Sequence, residues 1–160
     1  VDNITVIQVA VYSDVGEMQF DITKLPEFSG LNSFSVVSSD YINVKVDTLD
    51  NFASKHPNLK VTGIKTDVEG ADTEVLLGGT NLIKKEQPLI LSEAFPDSRV
   101  LKFAQELDYL IFAFIKPKDE SKRHFKPKFT QITEYPITFR PKMIFLVPKR
   151  LHQQFFDLVK

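Results

Sequence analysis

Several apolar runs in this chain are too dense for strands with one wet face. Ile4 to Val11 (ITVIQVAV), Val61 to Thr66 (VTGIKT), Pro88 to Glu93 (PLILSE), Tyr109 to Ile115 (YLIFAFI) and Met143 to Pro148 (MIFLVP) are rich in β-branched and aromatic residues. That is how strands buried on both faces of a parallel sheet read. Between them the period changes to that of a helix. Ala71, Val75 and Leu76 follow Gly70 at helical spacing before Gly78-Gly79 closes the segment, and Thr80 to Lys85 continues as a further helical piece. Ser98 is placed to cap a helix presenting Val100, Leu101, Ala104 and Leu107 on one face. A short helix starts at Thr48 and stops at Pro57, and an amphipathic one closes the chain around Leu151, Phe155, Phe156 and Val159. The stretches GEMQFDI, SFSVVSS and YINVKVD alternate with period two and predict small antiparallel strands or a loosely paired insertion.

Alternating strands and helices predict a single α/β domain over residues 1–160, with a mostly parallel sheet and right-handed crossovers. The last two apolar runs have no helix between them, so an antiparallel pair at the sheet edge is expected. Residues 116–141 read as a long loop insertion before the last strand, and KPKDESKRHFKPK at 116–128 is its most polar part.

Composition narrows the function classes. The 160 residues are 42% hydrophobic with 14 Phe, enough to bury one sizeable core. Lys plus Arg number 20 against 21 Asp plus Glu, and this balance gives no general field for nucleic acid. A solvated loop accounts for the basic stretch, although Phe125 within it and Phe129 just after it are available for stacking. The absence of cysteine removes thiolate chemistry and disulfides and suits a reducing compartment, so the expected location is cytoplasmic. No window approaches the ~20 apolar residues of a membrane helix, so no membrane partner is expected.

Ligands of open α/β sheets collect beyond the carboxyl ends of the strands. Three acidic loci fall at such ends: Asp14, the Asp67/Glu69 pair in IKTDVEGAD, and Glu93. If the strands are neighbours, Asp67 and Glu93 project into one crevice, where two carboxylates can hold a hard cation or take a proton from a hydroxyl. The competing reading is electrostatic: Glu69, Asp72 and Glu74 complement a helix dipole while Asp67 accepts hydrogen bonds from the turn. Spacing alone does not displace it. His56, His124 and His152 are scattered, and no serine has a Gly-x-Ser-x-Gly setting, so neither a histidine metal site nor a serine hydrolase is indicated. A two-carboxylate hydrolase is disfavoured because Asp67 and Glu69 share one turn, whereas such acids flank a bond from about 5 to 9.5 Å apart.

The segment IKTDVEGADTEVLLGG followed by PLILSEAF resembles the signature of the FkbM-type S-adenosylmethionine-dependent methyltransferases, roughly IKxDxEGxExxVLxG. The resemblance extends upstream to NITVIQVAVYSDVGEMQF and VKVDTLDNF and downstream to MIFLVPK, with Asp72 standing where the family usually has Glu. It implies a class I, Rossmann-like methyltransferase fold and methyl transfer to a hydroxyl of a sugar, polyketide or similar small molecule. It also implies catalytic roles: Asp67 in acceptor orientation or metal contact, Glu69 as base or hydrogen-bond partner, and Glu93 as a second oxygen ligand. Tyr12, Ser13 and Asp14 match the turn near the adenine of the cofactor, S-adenosylmethionine, and a divalent metal is possible.

The resemblance also implies a Gly-rich cofactor turn, yet the chain has no Gly-x-Gly. The match begins at about the family's third strand and lacks the first two. The expectation is that the missing strands come from the same longer chain or a partner chain, and that the isolated chain transfers no methyl group. The alternative is a non-catalytic scaffold or interaction domain with a degenerate methyltransferase fold.

Overall fold

A computed structural model describes residues 3–22, 30–31, 40–115, 128–135 and 141–158. The chain begins with strands β1 (Ala10–Val11), β2 (Gly16–Ile22), β3 (Gly30–Leu31) and β4 (Asp40–Asp47). They form one sheet in the order β1-β4-β2-β3, with β1 parallel to β4 and the other pairs antiparallel. The antiparallel strands expected from GEMQFDI and YINVKVD are therefore present, while SFSVVSS lies outside the described residues.

Helix α1 (Leu49–Lys55) follows, capped by the Thr48 hydroxyl, which accepts the Asn51 N–H. Next come β5 (Gly63–Thr66), α2 (Asp72–Leu77), α3 (Thr80–Glu86), β6 (Leu89–Ser92), α4 (Ser98–Glu106), β7 (Tyr109–Ile115), β8 (Lys128–Ile132), β9 (Ile144–Pro148) and, after one 3-10 turn, α5 (His152–Leu158). The second sheet has the order β5-β6-β9-β7-β8. Its core is Leu76, Ile83, Ile90, Val100, Phe103, Ile111, Ile144 and Leu146, a layer of α2, α3 and α4 against the central strands. Asp97, not Ser98, caps α4, accepting the N–H groups of Arg99 and Val100. Both have a short side-chain acceptor, and the residue with extended backbone takes the cap.

Three expectations need correction. The fold is mixed α/β, but the described sheets are not mostly parallel: β1/β4 and β5/β6 are parallel, and the other five pairings are antiparallel. Dense apolar strands signal burial on both faces, which the helix layer supplies to antiparallel neighbours as well. The β7/β9 pair is antiparallel as expected but is interior, because β8, drawn from the segment expected to be loop, covers its edge. Residues 116–127 and 136–140 of that segment lie outside the described residues. Finally, only Ala10 and Val11 of ITVIQVAV pair as strand, while Ile4 and Val6 are 69% and 88% exposed. The apolar run has no neighbour among the described residues on the side away from β4.

A candidate acceptor site between two free strand edges

The edges of β1 and β5 that have no strand partner among the described residues border one cleft of about 500 Å³. Val9, Ala10 and Val11 line one side, Ile64 to Glu69 the other, and Ala71, Val75, Phe20 and Leu49 complete it. Helix α1 is held over this region by Asp50, whose carboxylate accepts the backbone N–H groups of Asn81 and Leu82 at 3.0 and 2.7 Å and so caps α3 from a distance.

The IKTDVEGAD cluster divides in the structure. Val68 to Ala71 is a tight turn closed by the Ala71 N–H on the Val68 carbonyl, with Gly70 at φ 77°. A positive φ at the third position suits a type II turn and explains the glycine. It also sets Glu69 at the second position of the turn, before the helix rather than in it. Helix α2 starts only at Asp72. Asp72 and Glu74 accordingly follow the electrostatic reading. Asp72 is buried with one oxygen accepting the Val68 N–H at 3.3 Å, and Glu74 binds Arg99 of α4 at 2.7 Å. Asp67 and Glu69 instead line the cleft.

Asp67 sits two residues beyond Lys65 on the same strand face, and the Lys65 ammonium donates to its carboxylate at 2.6 Å. That charge-assisted hydrogen bond, with the field of Lys65 and then Lys142, holds the Asp67 carboxyl below the usual carboxylate range. Neither lysine stood out in the sequence, although the i, i+2 spacing in IKTD carried the signal for Lys65. Glu93 is the residue after β6 as Asp67 is the residue after β5, and Thr66 pairs with Ser92 in register. The two carboxylates therefore leave adjacent parallel strands side by side. Glu93 is outside the cleft lining and makes no hydrogen bond or ion pair among the described residues.

Tyr12, Ser13 and Asp14 occupy the turn after β1. The Tyr12 carbonyl lies so close to Gly78 that a β-carbon there would overlap it. Burial first, then the charges of Glu74 and Asp14, push the Tyr12 phenol up, and the Ser13 hydroxyl donates to Asp14 at 2.9 Å. None of the three lines the cleft. Close approaches at Gly78 and Gly79 are filled by the chain's own Tyr12 and Leu49, so neither of these glycines is open to a ligand. The sequence has no Gly-x-Gly, so the described residues show no glycine-rich turn of the kind expected under S-adenosylmethionine. Nor do the described residues gather three or more His, Asp or Glu able to hold a metal ion, so the divalent metal considered for Asp67 and Glu93 lacks support. No helix among them is long and apolar enough to cross a membrane.

The chain is a mixed α/β fold with acids at two neighbouring strand ends, the end of an α/β sheet at which ligands commonly bind. Residues 2–135 match the family model described as the methyltransferase FkbM domain, and the chain belongs to that methyltransferase family. Comparison with curated proteins and with solved structures finds no match.

Proposed function

We propose that this chain forms the acceptor-side wall of an S-adenosylmethionine-dependent O-methyltransferase acting on a hydroxyl of a sugar, polyketide or similar small molecule. The observation that supports it is the separation of Asp67 and Glu69 from the helix acids, placing both on the cleft in a family of methyltransferases. The cofactor, when bound, supplies an electrophilic methyl group. Asp67, kept ionised by Lys65, accepts a hydrogen bond from the acceptor hydroxyl and orients it; its depressed basicity suits positioning better than proton abstraction. Glu69, displayed on the type II turn, is the candidate base, and Glu93 a second hydrogen-bond partner from the next strand. Tyr12, Ser13 and Asp14 are proposed to border the adenine end.

The edges of β1 and β5 left without a partner among the described residues support a further part of this reading: the cleft receives two strands, from the same longer chain or from a partner chain, and these bring the cofactor cradle. On this reading the 160 residues alone transfer no methyl group. Calorimetry with S-adenosylmethionine tests it. The 160-residue chain is expected to show no binding and the full protein micromolar binding, with Glu69→Gln lowering the rate but not the cofactor affinity. Micromolar binding and acceptor methylation by the 160 residues alone overturns the need for added strands. Absence of binding by the full protein leaves the scaffold reading in its place.

A further inference from the structure

The rim that carries Glu93 also carries two aromatic rings that the roles above do not use. Phe95 stands two residues after Glu93 on the short connection between β6 and α4, and Tyr135 stands three residues after β8. Their rings meet edge to face, with centroids 6.4 Å apart and planes at 88°, yet they remain 39% and 50% exposed. The connection bearing Phe95 is short and tied down: its carbonyl accepts the Asp97 N–H at 2.7 Å, Pro96 is buried, and Asp97 caps α4. The Ala94 N–H donates to the buried Ser92 hydroxyl at 3.0 Å. An exposed ring on a fixed connection keeps its face open to a ligand without losing order on binding.

Charged groups stand at the same end of the second sheet as the Phe95 connection. Ile144 pairs with Ser92, which sets Lys142, two residues earlier, at the same end of the sheet, where its charge reaches Asp67. Asp67, Glu93, Lys65 and Lys142 therefore lie at the end of the sheet from which the Phe95 connection leaves. A wholly apolar acceptor would strip water from those charges without replacing its hydrogen bonds. A polyhydroxylated ring satisfies both halves, since its hydroxyls meet the charged groups while the electropositive C–H groups of one face lie on the negative face of an aromatic ring.

We propose that Phe95 and Tyr135 form the platform that binds the acceptor, and that the acceptor is a carbohydrate ring stacked there with its hydroxyls toward Asp67 and Glu93. The proposal rests on the acceptor-wall reading for its purpose, while binding of the ring does not depend on methyl transfer.

Saturation-transfer NMR on the full protein, with methyl β-D-glucopyranoside and methyl β-D-galactopyranoside as probes, tests it. Irradiation of aromatic protons is expected to saturate the C–H protons of one face of a probe. Phe95→Leu, which keeps bulk without a ring face, and Tyr135→Ala are expected to weaken binding roughly 3- to 10-fold, in line with the worth of an aromatic contact, while Tyr135→Phe retains it. Circular dichroism unchanged in Phe95→Leu excludes misfolding as the cause. Equal binding by the wild type and Phe95→Leu, no binding of either sugar, or tighter binding of cyclohexanol than of both sugars overturns the proposal. Calorimetry with S-adenosylhomocysteine separates the two readings. Sugar binding without cofactor binding defeats the methyltransferase reading and leaves the platform; cofactor binding without sugar binding does the reverse.

Discussion

The Thr66 hydroxyl donates to the Ser92 hydroxyl at 2.7 Å across β5 and β6, and both side chains are buried. Ser92 also accepts the Ala94 N–H. One buried polar contact thus joins the strands one residue before Asp67 and Glu93 and fixes their relative height. Ser92→Ala leaves a buried hydroxyl and a buried N–H without their acceptor, and is expected to cost about 2 kcal/mol. Urea unfolding measures it; a change below about 0.5 kcal/mol means that the contact does not set the register.

Gly78 is expected to tolerate no side chain. A β-carbon there would overlap the Tyr12 carbonyl oxygen, a backbone atom that no rotamer change can move away. Gly78→Ala should destabilise the fold by about 3 kcal/mol and detach the Tyr12 turn from α2. Gly16→Ala, with nothing within 4 Å, is the control and should cost less than about 1 kcal/mol. Thermal unfolding of the two variants side by side decides the matter.

Asp50 is expected to matter more than its place on a short helix suggests. Asp50→Ala removes the acceptor for two N–H groups of α3 and for the Asn81 side chain, at a cost of about 1 to 2 kcal/mol. Asp50→Asn should recover part of this, because its carbonyl oxygen still accepts. Hydrogen exchange at Asn81 and Leu82 gives the local readout, and unaltered exchange in Asp50→Ala removes the cap from the account.

Asp67 should titrate below an ordinary aspartate. A carboxyl whose folded pKa is depressed contributes stability that is present above its unfolded value and lost as pH falls through the folded one. Since Asp67 is exposed to solvent, the effect on global stability is small, and carbon-13 NMR of the carboxyl is the suitable probe. Lys65→Met should move the midpoint up toward the usual range because the hydrogen bond and the nearest field go together. An unmoved midpoint would mean that Lys65 is solvated in solution.

Much of this molecule was legible as local pattern. The helix that Thr48 caps, the turn at Gly70, the helix after it, and the strands LILS, YLIFAFI and IFLVP are set by residues adjacent to one another, and the structure has them within a few residues. The positions of Asp67 and Glu93 beyond two neighbouring strands were readable for the same reason, since a strand end is a local property. Strand direction was not, because burial on both faces looks alike in parallel and antiparallel neighbours. Nor was β8, whose KFTQI lies in a polar segment and becomes strand by pairing with β7.

The sequence by itself determined most of the element types and the family, because these rest on periodicity, backbone preference and motif. Tertiary structure decided which acids serve the helix and which face the cleft, since Asp72 and Asp67 differ little in sequence but one is buried beneath its turn and the other meets Lys65. It alone brought Phe95 to Tyr135 and Lys142 toward Asp67, contacts between residues that no local period connects.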